Sequence, residues 1–403
     1  MKRLLLTSSA LASAAILSAP ALLASQAWAE EPIRLTVGGY FKSAYMVVFD
    51  DDDEGQFGNE NNTDGFFSDA EIHFTGSTLL DNGLEVGARV ELEGETDDDQ
   101  IDEAWIWFSG GFGEVRIGSE DEALANACIV PPGGTGNFSA FSPNQWGANG
   151  VGLFSFGGVF GSNSVCAGVD ESGDAQKIVY ISPNFGGFQL TVSYTPDGAR
   201  ESHVDGVGPH LGMPAHEVFD SRHNVSVYGT YSYVGDGWGL TAGLGGAWEG
   251  HTENTVDALN INEQDFYQAG LNLSFGNFGI GVVGEYFNDQ RNFNVGVAAL
   301  EVDSWVAGIG ASYAMDAWTF GLQYSHREDD NKLEGFLDDF DAQQDRIVAT
   351  ATYALGPGIN IDGEIGYSWI DSDPEVENFA AGSSPGLDDY GALEFGIGTN
   401  ITF

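Results

Sequence analysis

Residues 390–403 read YGALEFGIGTNITF. Apolar side chains recur at every second position, so one face of an extended segment carries Leu393, Phe395, Ile397, Thr399, Ile401 and Phe403. The opposite face carries Ala392, Glu394, Gly396, Gly398 and Asn400. An apolar period of two residues is typical of a β-strand with one apolar side and one polar side. The segment therefore predicts a strand that separates an apolar environment from a polar one.

Residues 1–29 have the features of a secretory signal peptide. Two basic residues precede an alanine-rich apolar run at 4–23, and Ala27-Trp28-Ala29 supplies the small residues of a cleavage site. We expect the mature chain to start at Glu30. Beyond that residue, no apolar run approaches the roughly 18 residues that a membrane-spanning helix requires. The other structure that satisfies every backbone polar group in lipid is a closed β-barrel.

The composition is strongly acidic. There are 61 acidic and 13 basic residues, a net charge of −48, which excludes nucleic acid as a natural partner. The chain is 12% aromatic and contains 57 glycines, which favours β-structure over the disorder that such a charge would otherwise suggest. The acidic residues bunch at 50–54, 97–99, 328–330 and 338–341. We interpret these bunches as solvated loops rather than as dedicated cation sites.

Short turns and longer polar stretches alternate along the chain. Seven turns rich in Gly, Asn, Asp or Pro occur at 81–83, 110–111, 183–184, 235–237, 276–277, 315–316 and 356–358. Eight longer stretches lie near 50–66, 95–100, 120–174, 197–222, 250–264, 289–302, 328–343 and 372–389. This count predicts an all-β protein. Residues 30–403 would form a transmembrane antiparallel barrel of about sixteen strands, with both ends on the short-turn side.

Charged residues indicate which face of each strand points outwards. A Lys or Arg that faces lipid at the membrane midplane costs roughly 2–4 kcal/mol. Four basic residues are therefore predicted to face the lumen: Lys42, Arg89, Arg116 and Arg346. Alternation places four acidic residues on the same side: Asp69, Glu71, Glu91 and Glu93. A barrel of this strand number is too wide for side chains to fill, so the sequence predicts a water-filled pore.

Two internal motifs and the terminal strand resemble one family. Residues 104–118, AWIWFSGGFGEVRIG, resemble the hairpin of the fourth and fifth strands of Gram-negative general porins. Residues 180–188, YISPNFGGF, are similar to the porin pattern after the constriction loop, although Val179 stands where a basic residue is usual. The strand that ends at Phe403 resembles the family's assembly signal. The resemblance runs over 33–403 and is distinctive in these three places.

The resemblance implies a non-enzymatic porin in the outer membrane of a Gram-negative bacterium. Such porins are homotrimers that pass small hydrophilic solutes and lie among outer-membrane lipid and lipopolysaccharide, where barrel-assembly machinery inserts them. A substrate-selective channel and a secreted β-rich adhesin are the alternatives. In many general porins the second loop holds a neighbouring subunit, but residues 96–100 are short and acidic here. Subunit contacts would then depend on apolar walls near the first and last strands.

Residues 120–174 are too long for an ordinary connection, and loops of this size are usually functional. By resemblance they are the third loop, folded into the barrel as the constriction. The loop begins with Glu120, Asp121 and Glu122, which would face a basic wall. The best candidates for that wall are Arg89, Arg116 and Lys42. An acidic run on an outward loop is the alternative. Together with the lumen carboxylates, the loop acids predict a preference for cations.

Both cysteines, Cys128 and Cys166, lie in this loop. In an exported protein an even pair predicts a disulfide, with two separate buried thiols as the alternative. In the chain-entropy model, closing a loop of this length contributes roughly 4 kcal/mol.

No residue group forms a compact metal motif. The histidines of the region near 197–222 have irregular spacing and are interpreted as solvated: His203, His210, His216 and His223. A stretch similar to a calcium loop contains Asp50, Asp52 and Glu54, but Asn61 stands where a bidentate glutamate belongs. We expect no cofactor beyond loosely bound calcium. The motifs G-x-S-x-G and H-E-x-x-H are also absent from the sequence, in keeping with a non-enzymatic protein.

Overall fold

The structure is a computed structural model. It describes residues 32–50, 63–94, 100–141, 165–166, 174–198, 221–251, 264–288, 293–295, 298–333, 340–372 and 390–403. The expected signal peptide lies outside these ranges, as do Asp52 and Glu54 of the calcium-like stretch and three of the loop histidines, His203, His210 and His216. Within the described ranges, no helix has the length and apolar character needed to cross a membrane.

The described residues form seventeen strands and one short helix. In chain order the strands are β1 Arg34–Asp50, β2 Asp64–Leu79, β3 Glu85–Glu93, β4 Ala104–Gly110, β5 Gly113–Ser119, β6 Gln176–Ile181, β7 Phe188–Asp197, β8 Ser221–Val234, β9 Trp238–His251, β10 Gln264–Phe275, β11 Phe278–Asn288, β12 Phe293–Val295, β13 Ala298–Met315, β14 Trp318–Leu333, β15 Phe340–Gly356, β16 Ile359–Ser372 and β17 Tyr390–Thr402. The helix α1, Ala123–Ala127, follows β5.

The strands close into a barrel. Neighbouring strands pair antiparallel along the chain, and β1 also pairs with β17, from Tyr40 opposite Thr402 to Asp50 opposite Ala392. The three-residue strand β12 pairs with β13, while β11 pairs with β13 directly over ten positions. Sixteen strands therefore form the closed sheet, which confirms the strand number and the antiparallel barrel that the turn count predicts.

The predicted short turns connect neighbouring strands at one end of the barrel. At the turn between β2 and β3, the Asn82 side-chain oxygen accepts the amide of Leu84 over 3.0 Å. Gly83 adopts φ +79°, a left-handed conformation that glycine enters without strain. This local chemistry explains why Asp-Asn-Gly forms a tight connection there.

Side chains alternate across the sheet between an apolar outside and a polar inside. On β14, the outward Leu322 is 52% exposed and the inward Gln323 is 1% exposed. On β17, Ile397 is 60% exposed, whereas Glu394 on the inner face is fully buried. A period of two places every second residue against lipid, so the outer surface is apolar. The inner surface carries the polar groups, as the sequence predicts.

A buried apolar cluster lies inside the barrel, where the wall meets the segment that follows β5. Wall members include Tyr228, Phe266, Phe287, Val306 and Val348. Members from the segment after β5 include Leu124, Ile129, Ala140, Phe141 and Val165. The core therefore holds an in-folded segment against the wall instead of joining two layers of secondary structure.

Deleting Phe403 should impair assembly of the barrel. Its amide donates to Gly39 O over 3.1 Å, and its carbonyl accepts the amide of Gly39 over 3.0 Å. The deletion removes these two bonds of the β1–β17 seam, each worth roughly 0.5–1.5 kcal/mol net. We expect less heat-modifiable, folded protein in outer-membrane fractions on gel electrophoresis. Phe403→Tyr keeps the backbone and the ring and should assemble like the wild type. A normal yield of folded protein from the deletion would show that the seam closes without this residue.

Candidate functional site

The chain enters the barrel interior directly after β5. The amide of Ala123 donates to Ser193 Oγ of β7, and that of Leu124 donates to Ser226 Oγ of β8, each over 2.9 Å. All four residues are buried. The wall hydroxyls thus accept from the first amides of α1, which have no acceptor inside the helix. Residues 120–141 lie in the lumen, as the resemblance implies for a third loop.

The next part of the loop is held by its carbonyl groups. Wall side chains donate as follows: Gln268 Nε2 to Ile129 O at 3.0 Å, Asn272 Nδ2 to Val130 O at 2.8 Å, Gln323 Nε2 to Pro131 O at 3.0 Å and Thr350 Oγ1 to Gly133 O at 2.6 Å. Asn137 Nδ2 then donates to Asp362 Oδ2 of β16 over 2.7 Å. Phe138 packs with Met46 of β1. Residues 120–138, the outgoing leg, therefore follow the inner wall from β7 to β1.

The loop turns back after Phe138 as a return leg, described at residues 139–141 and 165–166. The amide of Ala140 donates to Gln323 Oε1 over 2.9 Å, and that of Val165 to Phe141 O over 3.2 Å. The structure contains the predicted disulfide between Cys128 and Cys166, which joins the two legs. The amide of Cys166 donates to Glu285 Oε1 of β11 over 2.8 Å. Both legs are thus fixed to the same part of the wall.

Lumen-facing side chains of β1 to β5 form a charged wall, which the outgoing leg meets at its two ends, through Glu120 at β5 and Phe138 at β1. Outward neighbours on these strands are exposed isoleucines at 72, 106 and 117, so the charged residues between them point inwards. Lys42 Nζ lies 2.9 Å from Asp69 Oδ2. Tyr40 donates its hydroxyl to Asp69 over 3.1 Å and also to Glu71. The predicted lumen position of Lys42, Asp69 and Glu71 agrees with this geometry.

A second group of the charged wall surrounds His73. Its Nε2 lies 2.8 Å from Glu71 Oε2 and 3.4 Å from Glu91 Oε2, while Nδ1 faces a guanidinium nitrogen of Arg89 at 2.9 Å. Arg89 also pairs with Glu91. Because Arg89 donates to Nδ1, the imidazole proton is expected on Nε2, between the carboxylates. Glu93 completes the group, with a carboxylate oxygen within 4.8 Å of those of Asp69 and Glu71.

Arg116 connects the charged wall to the loop. Its Nε donates to Glu114 Oε1 over 2.6 Å, and Nη1 donates to Glu120 Oε2 over 2.9 Å. The indole ring of Trp105 lies between two wall cations, with its centroid 5.3 Å from the Arg89 guanidinium and 5.8 Å from that of Arg116. Cations near an aromatic face are attracted to it. Trp105 therefore helps to position both arginines.

The predicted face-to-face arrangement of loop acids and wall bases is wrong in part. Glu120 and Glu122 are buried, at 1% and 3% exposure, and Asp121 is the exposed member of the three. Lys42 and Arg89 pair with carboxylates of β2 and β3, because these lie directly opposite or two residues away in the ladder. Arg116 meets the loop as expected.

Two basic residues have unexpected surroundings. Arg346 faces inwards but is only 2% exposed, with Nη2 at 2.9 Å from Glu394 Oε2 and 3.9 Å from Glu364 Oε2. It is therefore not part of a water-facing basic wall. Lys177 of β6, which we did not predict, is buried and donates to the carbonyl of Glu120. Strand alternation could have indicated this position, because Ile178 faces lipid and its neighbour Lys177 must therefore face the lumen.

A group of three carboxylates lies where the loop begins. Oxygens of Glu103, Asp121 and Asp174 lie within 4.8 Å of one another, and Glu103 Oε1 accepts the amide of Asp121 over 2.8 Å. Burial, followed by the charges of Asp121 and Glu91, raises the pKa of Glu103 to about 9. Glu103 is thus protonated at neutral pH. Burial also raises the pKa of Glu120 to about 7, although Arg116 opposes the shift.

The chain is similar to several known proteins. The family model described as Gram-negative porin matches residues 9–373. A "Monosaccharide porin" of Halomonas sp. and a "Major outer membrane protein" of Halomonas elongata are each 23% identical over 249 residues. These alignments cover 60% of this chain and 58% of each relative, so the chain spans less than two thirds of the relatives' length.

Solved structures share the fold at low sequence identity. The anion-selective porin from Comamonas acidovorans is 16% identical, with a TM-score of 0.54, and the match covers 92% of this chain and 100% of that one. Outer-membrane expressed OmpT of Vibrio cholerae is 13% identical, with a TM-score of 0.55, and the match covers 94% and 100% of the two chains. At these identities the likeness concerns the barrel fold.

Replacing both cysteines by serine should loosen the loop without opening the barrel. The bridge spans 38 residues, and in the chain-entropy model its loss costs about 4 kcal/mol for the closed segment. We expect faster proteolysis within residues 120–174 while the folded band persists on unheated gels. Reductant should have the same effect on the wild type and none on the double variant. Equal cleavage rates for oxidised wild type and double variant would mean that the wall contacts alone hold the loop.

Proposed function

Because its family model matches residues 9–373, the chain belongs to the Gram-negative porin family, and we propose that it forms a water-filled channel for ions and small hydrophilic solutes. Transport would be passive diffusion across the outer membrane, the location that the family and the barrel indicate. One observation carries the proposal. The loop lies along the inner wall from β7 to β1, and charged side chains of β1 to β5 such as Lys42 and Arg89 stay partly exposed in the lumen beside it.

Charged side chains of that wall keep part of their surface accessible inside the barrel. The exposed side-chain fractions are 21% for Lys42, 32% for Arg89 and 22% for Arg116. Ionised groups remain stable in a barrel lumen only when they are paired or hydrated. The combination of pairing and exposure supports a hydrated passage beside the charged wall.

The balance of charge on the wall supports a preference for cations. By alternation, its carboxylates are Asp69, Glu71, Glu85, Glu91, Glu93 and Glu114, and its bases are Arg34, Lys42, Arg89 and Arg116. Lys42, Arg89 and Arg116 are each within ion-pair distance of a carboxylate, and the carboxylates outnumber the bases, so the surplus charge is negative. Carboxylates that line a pore attract cations and repel anions. The exposed Asp121 adds a further negative charge where the loop begins.

A sugar-selective channel is the second candidate. It is favoured by the name of one relative, "Monosaccharide porin", which is aligned over 58% of its length. We also propose a homotrimer, because one V. cholerae OmpT structure with a TM-score of 0.52 is described as a trimer form. Neither proposal requires a cofactor or a catalytic group.

Purified protein in a planar lipid bilayer should show stepwise conductance with a reversal potential on the cation-selective side in a KCl gradient. The surplus of wall carboxylates is the physical reason. If the channel has a sugar site, monosaccharides should reduce the ion current in a saturable way. Stepwise currents with equal permeability for the two ions would contradict the cation preference. Folded protein without any stepwise current would contradict the channel itself.

Two substitutions of neighbouring carboxyl groups should show whether ion selectivity depends on the charge of Asp121 or on the shape of the group around it. Asp121→Asn removes an ionised group, and two unit charges about 4 Å apart in water interact by about 1 kcal/mol, so selectivity should fall by up to about fivefold. Glu103→Gln should leave selectivity unchanged at about pH 6, because the pKa of Glu103 is raised to about 9 and the group is already neutral.

The same pair predicts a pH dependence. As the pH rises through about 9, Glu103 loses its proton and the wild type should become more cation-selective, whereas Glu103→Gln should not. Reversal potentials measured over this range test both statements. A large effect of Glu103→Gln at the lower pH would mean that Glu103 is ionised there.

A further inference from the structure

A series of glycines lies beneath the outgoing leg. Five consecutive strands of the closed sheet, β9, β10, β11, β13 and β14, each place one inward glycine under residues 129–133: Gly243, Gly270, Gly281, Gly310 and Gly321. Gly243 lies directly opposite Gly270, and Gly281 directly opposite Gly310, in the strand register. We call these five residues the glycine seat. Because each lacks a Cβ, residues 129–133 pack closely against the wall backbone, and at Gly243 and Gly281 the side chains of Tyr228 and Asn272 also occupy the space.

The fit is too close for any side chain. A Cβ added at Gly270 would lie 2.5 Å from the Cβ of Ile129, and one added at Gly310 would lie 2.9 Å from the Cβ of Pro131. At Gly321, the added atom would lie 2.6 Å from the carbonyl carbon of Gly133. Non-bonded carbon atoms settle at about 3.5–4.0 Å, so the loop would have to move by about 1 Å.

The direction of that movement depends on whether the wall or the loop yields more easily. The wall strands are hydrogen-bonded on both sides in a closed sheet, so they resist displacement. The loop segment contains Pro131 and Pro132, whose fixed φ angles make it stiff, and its inner side faces the lumen. An added methyl group therefore moves the loop as a unit, away from the wall and into the passage.

One wall side chain holds both legs of the loop. Gln323 donates from Nε2 to Pro131 O over 3.0 Å, and its Oε1 accepts the amide of Ala140 over 2.9 Å and the hydroxyl of Ser139 over 3.0 Å. Its side chain is 1% exposed. Gln323 lies directly opposite Gly310 and two residues from Gly321. Gln323 thus fixes the position of the loop along the wall, whereas the glycine seat fixes its distance from the wall.

From these contacts we propose that Gly310, Gly321 and Gln323 determine the size selectivity of the channel, because they set how far the loop stands from the wall. The inference rests on the proposed channel function. These residues do not contact solute; they are positioning residues that act through the loop. The residues that determine the size limit for solutes thus lie on the wall opposite the charged wall.

Gly310→Ala and Gly321→Ala test the seat. Each should lower the single-channel conductance and lower the size limit for sugars in liposome swelling, with the folded band on unheated gels retained. Gly284→Ala is the matched control. Gly284 lies on the outward face of β11, and an added Cβ meets no atom within 4 Å, so this variant should behave like the wild type. Folded Gly310→Ala and Gly321→Ala channels with wild-type conductance and size limit would overturn the inference.

Gln323→Met tests the positioning residue and decides the question if the glycine variants fail to assemble. It keeps the length of the side chain and removes three hydrogen bonds, so the open-channel current should become noisier and the size limit should shift. Gln189→Met is its control, because Gln189 bonds Ser182 O over 3.1 Å at the short-turn end, outside the loop contacts. Wild-type noise and size limit in Gln323→Met would overturn the role of Gln323.

Measurements on the wild type distinguish a failure of the glycine seat from a failure of the proposed channel function. Conducting wild-type channels with unchanged variants contradict the seat and leave the channel function standing. A folded wild type that does not conduct contradicts the proposed function, on which the inference rests.

Discussion

The hydrogen-bonded seam between β1 and β17 is the constraint on which the rest of the structure depends. An open sheet of sixteen strands would present two edges of unpaired amides and carbonyls, and in lipid each such group costs several kcal/mol. The seam runs over eleven register positions, from Tyr40 opposite Thr402 to Asp50 opposite Ala392. Once it is formed, no strand of the barrel has a free edge, and the lumen is separated from the lipid. Both the buried loop and the charged wall exist because that space is closed.

A loop inside a barrel creates a second problem of the same kind, because its backbone groups lose water. The wall solves it with neutral side chains aimed at the loop, such as Ser193 and Ser226 for amides and Gln268 and Thr350 for carbonyls. Buried backbone groups of a native protein need such partners. Under the loop, the inner wall is rich in neutral polar residues and glycines, although Glu285 and Asp362 also bond the loop. The partly exposed Lys42, Arg89 and Arg116 lie on β1 to β5.

Alternation and turn chemistry made the barrel predictable from the sequence, because both are local properties. The strand count, the inward direction of Lys42 and Arg89, and the pairing of two exported cysteines required no knowledge of distant contacts. The partners of the charged residues did require it. Glu120 meets Arg116, as expected, but it is buried, and its carbonyl accepts from Lys177, which is 57 residues away in the chain. Gln323 and Pro131 are 192 residues apart, and no pattern in either segment indicates their contact.

Width and charge are not independent in such a passage. Screening limits the reach of an exposed charge to about 8–10 Å at physiological ionic strength. In a wide pore, an ion on the axis would therefore be only weakly affected by Asp69 or Glu71. In the proposed channel, the loop confines solutes to the space beside the charged wall, so every ion that passes comes within reach of those carboxylates. The wall beneath the loop holds it in place. The residues that fix the distance of the loop from that wall therefore also fix how close a passing ion comes to the charged wall. In the proposed channel, size selectivity and ion preference are thus two consequences of one distance, that between the loop and the charged wall.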